Sequence, residues 1–364
     1  MISCRAPGKL FIAGEYAVVE PGHRAVLTAV DRYATATVIP AAATTLRSDL
    51  DGGITLTCRR HGDGLAPDTE DGTVPRAFAY VFAAARILDR LCAERGVETN
   101  PYDLEVRAEL GDADGRKFGL GSSAAVTVAT VDALGRFHGL GLNTMDRYRL
   151  AMLATLEVNP KASGGDIAVS TWGGWLAYAS PDRTHVAELA AAEGIEAALR
   201  SPWPGLSVRP LRTPTELALQ VGWTGTPAST PALVAGLGDR QQRPSERAHF
   251  LLRSDDCVER LVTAIESADA AAICAEIDCA RQLLLDLDAG TGLGIMTERL
   301  HALCAAGAAV GAAAKPSGAG GGDCGIALID RTRDTAITAL TERWIGAGIR
   351  PLPLRTHPFE GDSQ

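Results

Sequence analysis

The sequence predicts an α+β fold in two domains, and three observations carry that prediction. β-rich stretches alternate with helical patterns, yet several strands follow one another directly, which favours mixed α+β layers over a doubly wound sheet. A proline-punctuated stretch, "SPWPGLSVRPLRTPTE" (201–216), interrupts the pattern past the middle of the chain, where a junction belongs. The 364 residues suffice for two ordinary domains, each with its own core. The units are set at residues 1–210 and 211–364.

The first third supplies strands. "KLFIAGEYAVV" (9–19), "AVLTAVDRYATATVI" (25–39) and "ITLTCRR" (54–60) are β-rich and bounded by glycine, proline or aspartate clusters. "RAFAYVFAAARILDRLCAERG" reads as a helix ending at Gly96. In "YDLEVRAEL" the residues Tyr102, Leu104, Val106, Ala108 and Leu110 share one face, which is the pattern of a half-buried strand. Val126, Ala129, Thr130, Ala133, Leu134 and Phe137 then fall at helical spacing, so a helix starts near Ser122 or Ser123. A helix over 144–158 leads to "NPKASGGDIAVSTWGGWLAY" (159–178). Past the junction come the strand "LALQVGWTG" (217–225), long alanine-rich helices and the loop "KPSGAGGGD" (315–323). The strand "CGIALID", the helix "DTAITALTERWIGAG" and the strand "IRPLPL" close the chain, and no internal repeat is found.

Composition narrows the function classes. A net charge of −9 argues against a nucleic-acid partner, which leaves a basic footprint. An anionic small substrate remains allowed, since a few local cations and helix termini bind phosphate within an acidic protein. The eight cysteines form no CxxC pair or Cys/His comb, which speaks against structural zinc and for ordinary thiols in a reducing compartment. Cys274 and Cys279 are spaced so that they do not face one partner on a helix. "MISCRAPGKLFIAGEY" has no apolar leader core, and no apolar run reaches membrane-spanning length, so the expected location is the cytoplasm, with no membrane partner.

Three glycine-rich places suit chemistry. In "FGLGSSAA", Gly119 and Gly121 allow a close backbone approach, and a helix starting at the serines offers unpaired N–H groups and about +0.5 charge to an anion. Taken alone, the segment reads as an N-cap after a glycine turn, and the spacing of a Walker A loop is absent. "KPSGAGGGD" precedes a strand, so it is no Rossmann turn; it suits a backbone nest or a surface linker. In "SGGDIAVSTWGG", Asp166 stands at a helix start, where a carboxylate is ordinarily a cap. Lys9 follows a Pro-Gly turn and alone reads as a solvated surface lysine.

Together, "APGKLFIAGEYAVVEPG", "FGLGSSAAVTVAT", "SGGDIAVSTWGGWLAY" and "KPSGAGGGDCGIALI" resemble the signature segments of the GHMP kinases, from residue 6 to about residue 330. Within that superfamily the wording is most similar to the bacterial phosphomevalonate kinases. The resemblance implies a GHMP kinase fold with the active site in the cleft between the two domains, the second ferredoxin-like. It also implies ATP and Mg²⁺ as cofactors, phosphomevalonate as the acceptor, and room for a homodimer. Alternatives that share the fold are mevalonate kinase, another small-molecule kinase, and a ligand sensor without turnover.

By the same resemblance, Lys117, Gly119, Leu120, Gly121, Ser122, Ser123 and Ala124 would hold the triphosphate, with Ser123 the Mg²⁺-linked hydroxyl. Lys9 and Asp166 would be catalytic. Lys9, Glu15, Tyr16, Ser163, Gly164, Asp166, Ser317, Gly318, Ala319 and Gly320 would line the acceptor site. Mevalonate kinases usually carry histidine after the motif-one glutamate, where this chain has Tyr16. Glu157 is the nearest upstream acid to Asp166 but its spacing does not clearly match a metal ligand; "WTGTPASTPALV" (223–234) resembles a family segment beside the acceptor, where Ser229 and Thr230 would bind or, as the safer reading, cap the next helix.

Overall fold

The 17-residue strand β2 (Arg24–Pro40) is the axis of the first sheet. One edge pairs with β1 (Ile2–Ala13) along nearly its whole length. The other edge is shared between two strands that meet β2 at different places, as the computed structural model shows over residues 1–49, 54–61, 64–112, 114–228, 233 and 244–360. The remaining strands of this sheet are β3 (Thr44–Ser48), β4 (Thr55–His61), β5 (Gly64–Pro67), β6 (Tyr102–Ala108), β7 (Trp175–Ala179) and β8 (Ser207–Leu211), ordered β5-β4-β3-β6-β2-β7-β8. Every pair is antiparallel except β3 with β6. A second, antiparallel sheet is built from β9 (Leu217–Trp223), β10 (Ala313–Pro316), β11 (Cys324–Asp330) and β12 (Arg350–Leu352), ordered β10-β11-β9-β12.

Helices α1 (Ala79–Glu94), α2 (Ser122–Phe137) and α4 (Gly165–Trp172) pack on the first sheet, and α3 (Thr144–Val158) packs on these three helices. The residues of α2 from Ala124 through Gly135 are mostly small or β-branched and all but Asp132 are buried, so the helix is enclosed almost all round. The helices α5 (Arg183–Glu193) and α6 (Ile195–Arg200) complete this half. Three long helices follow: α7 (Pro244–Glu266), α8 (Ala270–Thr291) and α9 (Glu298–Ala309), and α10 (Asp334–Gly346) closes the second half. Leu303 and Trp344, from α9 and α10, form a core with Ala327 and Ile329 of the second sheet. Among the described residues no helix is long and apolar enough to cross a membrane. Cys279 neighbours Cys257 of α7, with Glu276 held between them by Arg260.

Two local expectations change. The stretch 9–19 is not one strand: β1 begins at Ile2 and stops at Ala13. A side chain at Gly14 would come within 2.3 Å of the Arg24 carbonyl, so the chain turns tightly there and Ala17–Val19 forms one short 3₁₀ turn. Pro7-Gly8 is likewise no turn but a shift in register within β1. The two helix assignments at 122 and 144–158 agree with the structure, the second capped by the Asn143 side chain.

The tail crosses back to the first sheet. Asp31 N–H donates to the Arg355 carbonyl, His357 N–H to Ala29, Gly174 N–H to His357 and Glu360 N–H to Trp172. Removing residues 353–364 deletes these four bonds. At about 0.5–1.5 kcal/mol each, the truncated chain is expected to lose about 2–6 kcal/mol of unfolding free energy. A urea titration reads this as a lowered midpoint, whereas an unchanged midpoint would mean the tail contributes nothing.

Candidate active site

The glycine-serine loop enters α2 through two left-handed residues, Gly119 (φ +82°) and Gly121 (φ +75°). Gly121 occupies the N-cap position, and no side chain caps the helix. Ser122 and Ser123 lie inside the first turn, so the ordinary serine cap that this motif suggests in isolation is not made. The opening amides and the positive end of the dipole face whatever lies before the helix, which suits an anion. Leu120 is buried and its carbonyl accepts from Lys9 N–H at 2.9 Å, pinning the loop to β1, while Ala124 is buried in the helix.

Lys9 is 6% exposed, the opposite of a solvated surface lysine. Its Nζ donates to the Gly119 carbonyl at 3.0 Å, lies 3.9 Å from Asp166 Oδ2, and sits 5.4 Å from the centre of the Phe11 ring. A side chain at Gly121 would approach Lys9 Cγ to 2.8 Å, and one at Gly318 would begin 3.8 Å from Nζ. Strand, phosphate loop, Asp166 helix and third glycine loop therefore meet at one ammonium group. Carbonyl and carboxylate oxygens hold it in place without a close, fully formed ion pair, leaving its charge available to a further anion.

Asp166 stands in the first turn of α4 with about a third of its side chain exposed. Ser163 and Gly164 precede it. The Ser163 carbonyl accepts from Tyr178 Oη at 2.6 Å, and Gly164 rests on the hydrogen-bonded hydroxyls of Tyr148 and Tyr178. Tyr80, from α1, reaches the same place. Burial and the neighbouring Asp166 carboxylate push its phenol up from its ordinary range, and a hydrogen bond with Ser123 pulls it down.

The residues expected around the acceptor divide into two groups. Lys9, Ser163, Gly164 and Asp166 are brought together. Glu15, Tyr16, Ser317 and Ala319 have polar groups already engaged with other groups of the protein. Glu15 accepts from the fully buried Lys315 ammonium and from Gly318 N–H. Tyr16 Oη donates to the Ala319 carbonyl. Ser317 Oγ accepts from Phe11 N–H at 2.9 Å and donates to the Phe11 carbonyl at 3.0 Å. Gly320 packs against the Ile295 carbonyl, so the third loop is a packed layer and not a surface linker.

Lys117 is exposed, and its side chain makes no hydrogen bond or ion pair among the described residues; Lys9 is the buried cation at the loop. Glu157 pairs with Arg86 at 2.6 Å. Ser229 and Thr230 lie outside the described residues. Three residues escaped the sequence reading: Tyr80, Lys315 and Asp323. Asp323 has φ +52°, unusual without glycine, and its Oδ1 accepts from Ala228 N–H at 2.8 Å. Its carboxyl lies where a Gly119 side chain would be, and burial pushes its acidity below that of an ordinary aspartate. Lys315 was visible as the first letter of its motif; Tyr80 carried no local signal.

The donor set fits a nucleotide with a hard cation. Uncapped amides and Lys9 match phosphate oxygens, and the Ser123 hydroxyl and Asp166 carboxylate are oxygen ligands of the kind Mg²⁺ takes.

Comparison with known proteins gives the same picture. The pattern of the GHMP kinase N-terminal domain matches residues 79–174, and that of the GHMP kinase C-terminal domain matches residues 245–346. A phosphomevalonate kinase of Streptomyces sp. (strain CL190) is 52% identical over 98% of this chain and 97% of its own length. A solved protein of Listeria innocua superposes with a TM-score of 0.90 at 35% identity, covering 98% of this chain and 97% of its own. Streptococcus pneumoniae phosphomevalonate kinase, solved with phosphomevalonate and AMPPNP, superposes with a TM-score of 0.85 at 29% identity, over 98% of this chain and all of its own (100%). With both halves of the family pattern in order and a relative more than half identical from end to end, the chain belongs to the GHMP kinases.

Proposed function

We propose that this chain is an ATP-dependent phosphomevalonate kinase. It transfers the γ-phosphoryl group of ATP to the phosphate of 5-phosphomevalonate, giving 5-diphosphomevalonate and ADP. The end-to-end likeness to a phosphomevalonate kinase is the observation that carries the acceptor. The test is ADP release with ATP and Mg²⁺, run separately with mevalonate and with phosphomevalonate. Turnover with phosphomevalonate alone is expected; turnover with mevalonate alone would overturn the acceptor.

An acceptor oxygen attacks the γ-phosphorus, and the bond from the γ-phosphorus to the β–γ bridging oxygen breaks. The second pKa of a phosphate monoester is about 6, so near neutral pH the acceptor already has an unprotonated oxygen and needs no strong base. Bringing two anions together is the harder task, and charge neutralisation with positioning dominates such transfers. Lys9, buried beside the loop, offsets that repulsion. Asp166 orients Lys9 and the acceptor. Gly119 to Ala124 wrap the triphosphate, with the α2 amides as donors. The Ser123 hydroxyl would help to hold Mg²⁺, which would supply positive charge beside the phosphates.

In this reading Glu15, Tyr16, Ser317 and Ala319 shape the acceptor wall from behind, and Gly318 and Gly320 contribute backbone to it. The two domains run 1–210 and 211–364, with the tail returning to the first. Cytoplasmic residence accords with cysteines that are all unpaired among the described residues.

Lys9→Met is expected to lower kcat about 10²- to 10³-fold, the scale of losing one charge-stabilising group. Asp166→Asn should cost less, about tenfold, because positioning weakens while Lys9 stays. Steady-state kinetics on both variants decide this; a larger loss for Asp166→Asn would make Asp166 a general base. Gly121→Ala forces a left-handed alanine against Lys9. It should destabilise the fold by about 1–2 kcal/mol and raise KM for ATP, checked by thermal unfolding and ATP titration.

A further inference from the structure

A cavity of about 300 Å³ runs along the second half of α2, from Val128 to Arg136, and past the end of α4 at Ser170 and Thr171. Arg5 of β1, Asp132 and Arg136 of α2, Arg147 of α3, and His357 and Glu360 of the tail line it. At about 1.5 Å per helical residue, its lining along α2 runs from Val128, ~8 Å from Ser123, to Arg136, ~20 Å from it. Neither Lys9, Ser123 nor Asp166 lines it, so the cavity is separate from the site described above. Its volume is at the lower end of the range for ligand pockets.

The charges in it do not balance. Asp132 is surrounded: Arg136 donates to both its oxygens at 3.0 and 3.1 Å, and Arg147 Nη1 lies 3.4 Å away. Arg147 also donates to Thr144 Oγ1, yet its Nε is buried with no partner. Arg5 lies over the Tyr33 ring, 4.6 Å from its centre, and forms no ion pair among the described residues. Glu360 is mostly exposed and faces the His357 imidazole at 3.3 Å. Burial pulls the His357 pKa down, so near neutral pH it adds no charge. Three guanidinium groups thus stand against two carboxylates, one of them turned towards solvent.

We infer that this cavity binds a small phosphate-bearing anion through Arg5 and Arg147. A tetrahedral phosphate offers acceptor oxygens in several directions, which suits two guanidinium groups approaching from different elements. A planar carboxylate is better matched by a single fork. Because α2 and α4 carry Ser123 and Asp166 at their other ends, the occupant would touch the two helices that present the catalytic groups.

The test is calorimetric titration of inorganic diphosphate into the full chain, with saturating AMPPNP filling the nucleotide loop and no Mg²⁺ present. One saturable site is expected. Arg5→Ala, at an exposed position, should weaken it about tenfold, the scale of one charge-assisted contact, and Arg147→Gln should do the same. Lys9→Met should leave it unchanged. No saturable binding, or loss with Lys9→Met but not with Arg5→Ala, would overturn the site. Citrate binding as tightly as diphosphate would overturn the preference for phosphate.

Discussion

The active site depends on an ion pair that never meets solvent. Lys315 is fully buried, and the Glu15 carboxylate that accepts from it also accepts from Gly318 N–H. Either charge alone at that depth would be strongly disfavoured, so the pair forms only when the third glycine loop and the end of β1 are joined. Ser317 extends the joint by bonding both backbone groups of Phe11, and Tyr16 ties the turn to Ala319. A short segment from each half of the chain is thereby fixed in register.

That register sets where Lys9 goes. Lys9 is six residues before Glu15 on the same stretch, and Gly318 is three residues after Lys315, so clamping one pair brings the other together. The bulge at Pro7/Gly8 then brings the strand against the phosphate loop, where Lys9 N–H reaches the Leu120 carbonyl and Nζ reaches Gly119. Asp323 supports the loop from the other side, beneath Gly119. Segments distant in sequence become one cradle because buried polar groups of the first strand and the third glycine loop bond across to each other and to the glycine-serine loop. This is preorganisation: the positive charge is held before any anion arrives.

Much of this was legible in the residues, for identifiable reasons. Long periodic segments such as α2, α3 and β6 declared themselves, because their apolar spacing is set by the core they face. The resemblance carried by four motifs singled out Lys9, Asp166 and the glycine-serine loop, and the structure brings these together. What stayed hidden was long-range. Pro7-Gly8 looks like a turn in any local window, and only the Leu110 and Leu120 contacts at Gly8 explain a bulge there. Lys117 stood nearer the loop in sequence than Lys9, yet its side chain is exposed, while the buried Lys9 ammonium bonds the Gly119 carbonyl. Glu15 and Tyr16 looked like groups for a ligand because nothing local revealed that Lys315 and Ala319 would take them. Tyr80 had no motif around it, and its place beside Ser123 and Asp166 comes from the packing of α1.

The most direct measurement is a double-mutant cycle on the buried pair, with Glu15→Gln, Lys315→Met and the double variant unfolded in urea. Each single substitution leaves one partner of a buried charge pair behind and should cost about 3–5 kcal/mol. The double variant should cost less than the sum, with a coupling of about 1.5–3 kcal/mol, the upper part of the range for residues in contact. If the two costs simply add, or if either single variant is as stable as the parent, the pair does not join the two halves, and the placement of Lys9 needs another cause.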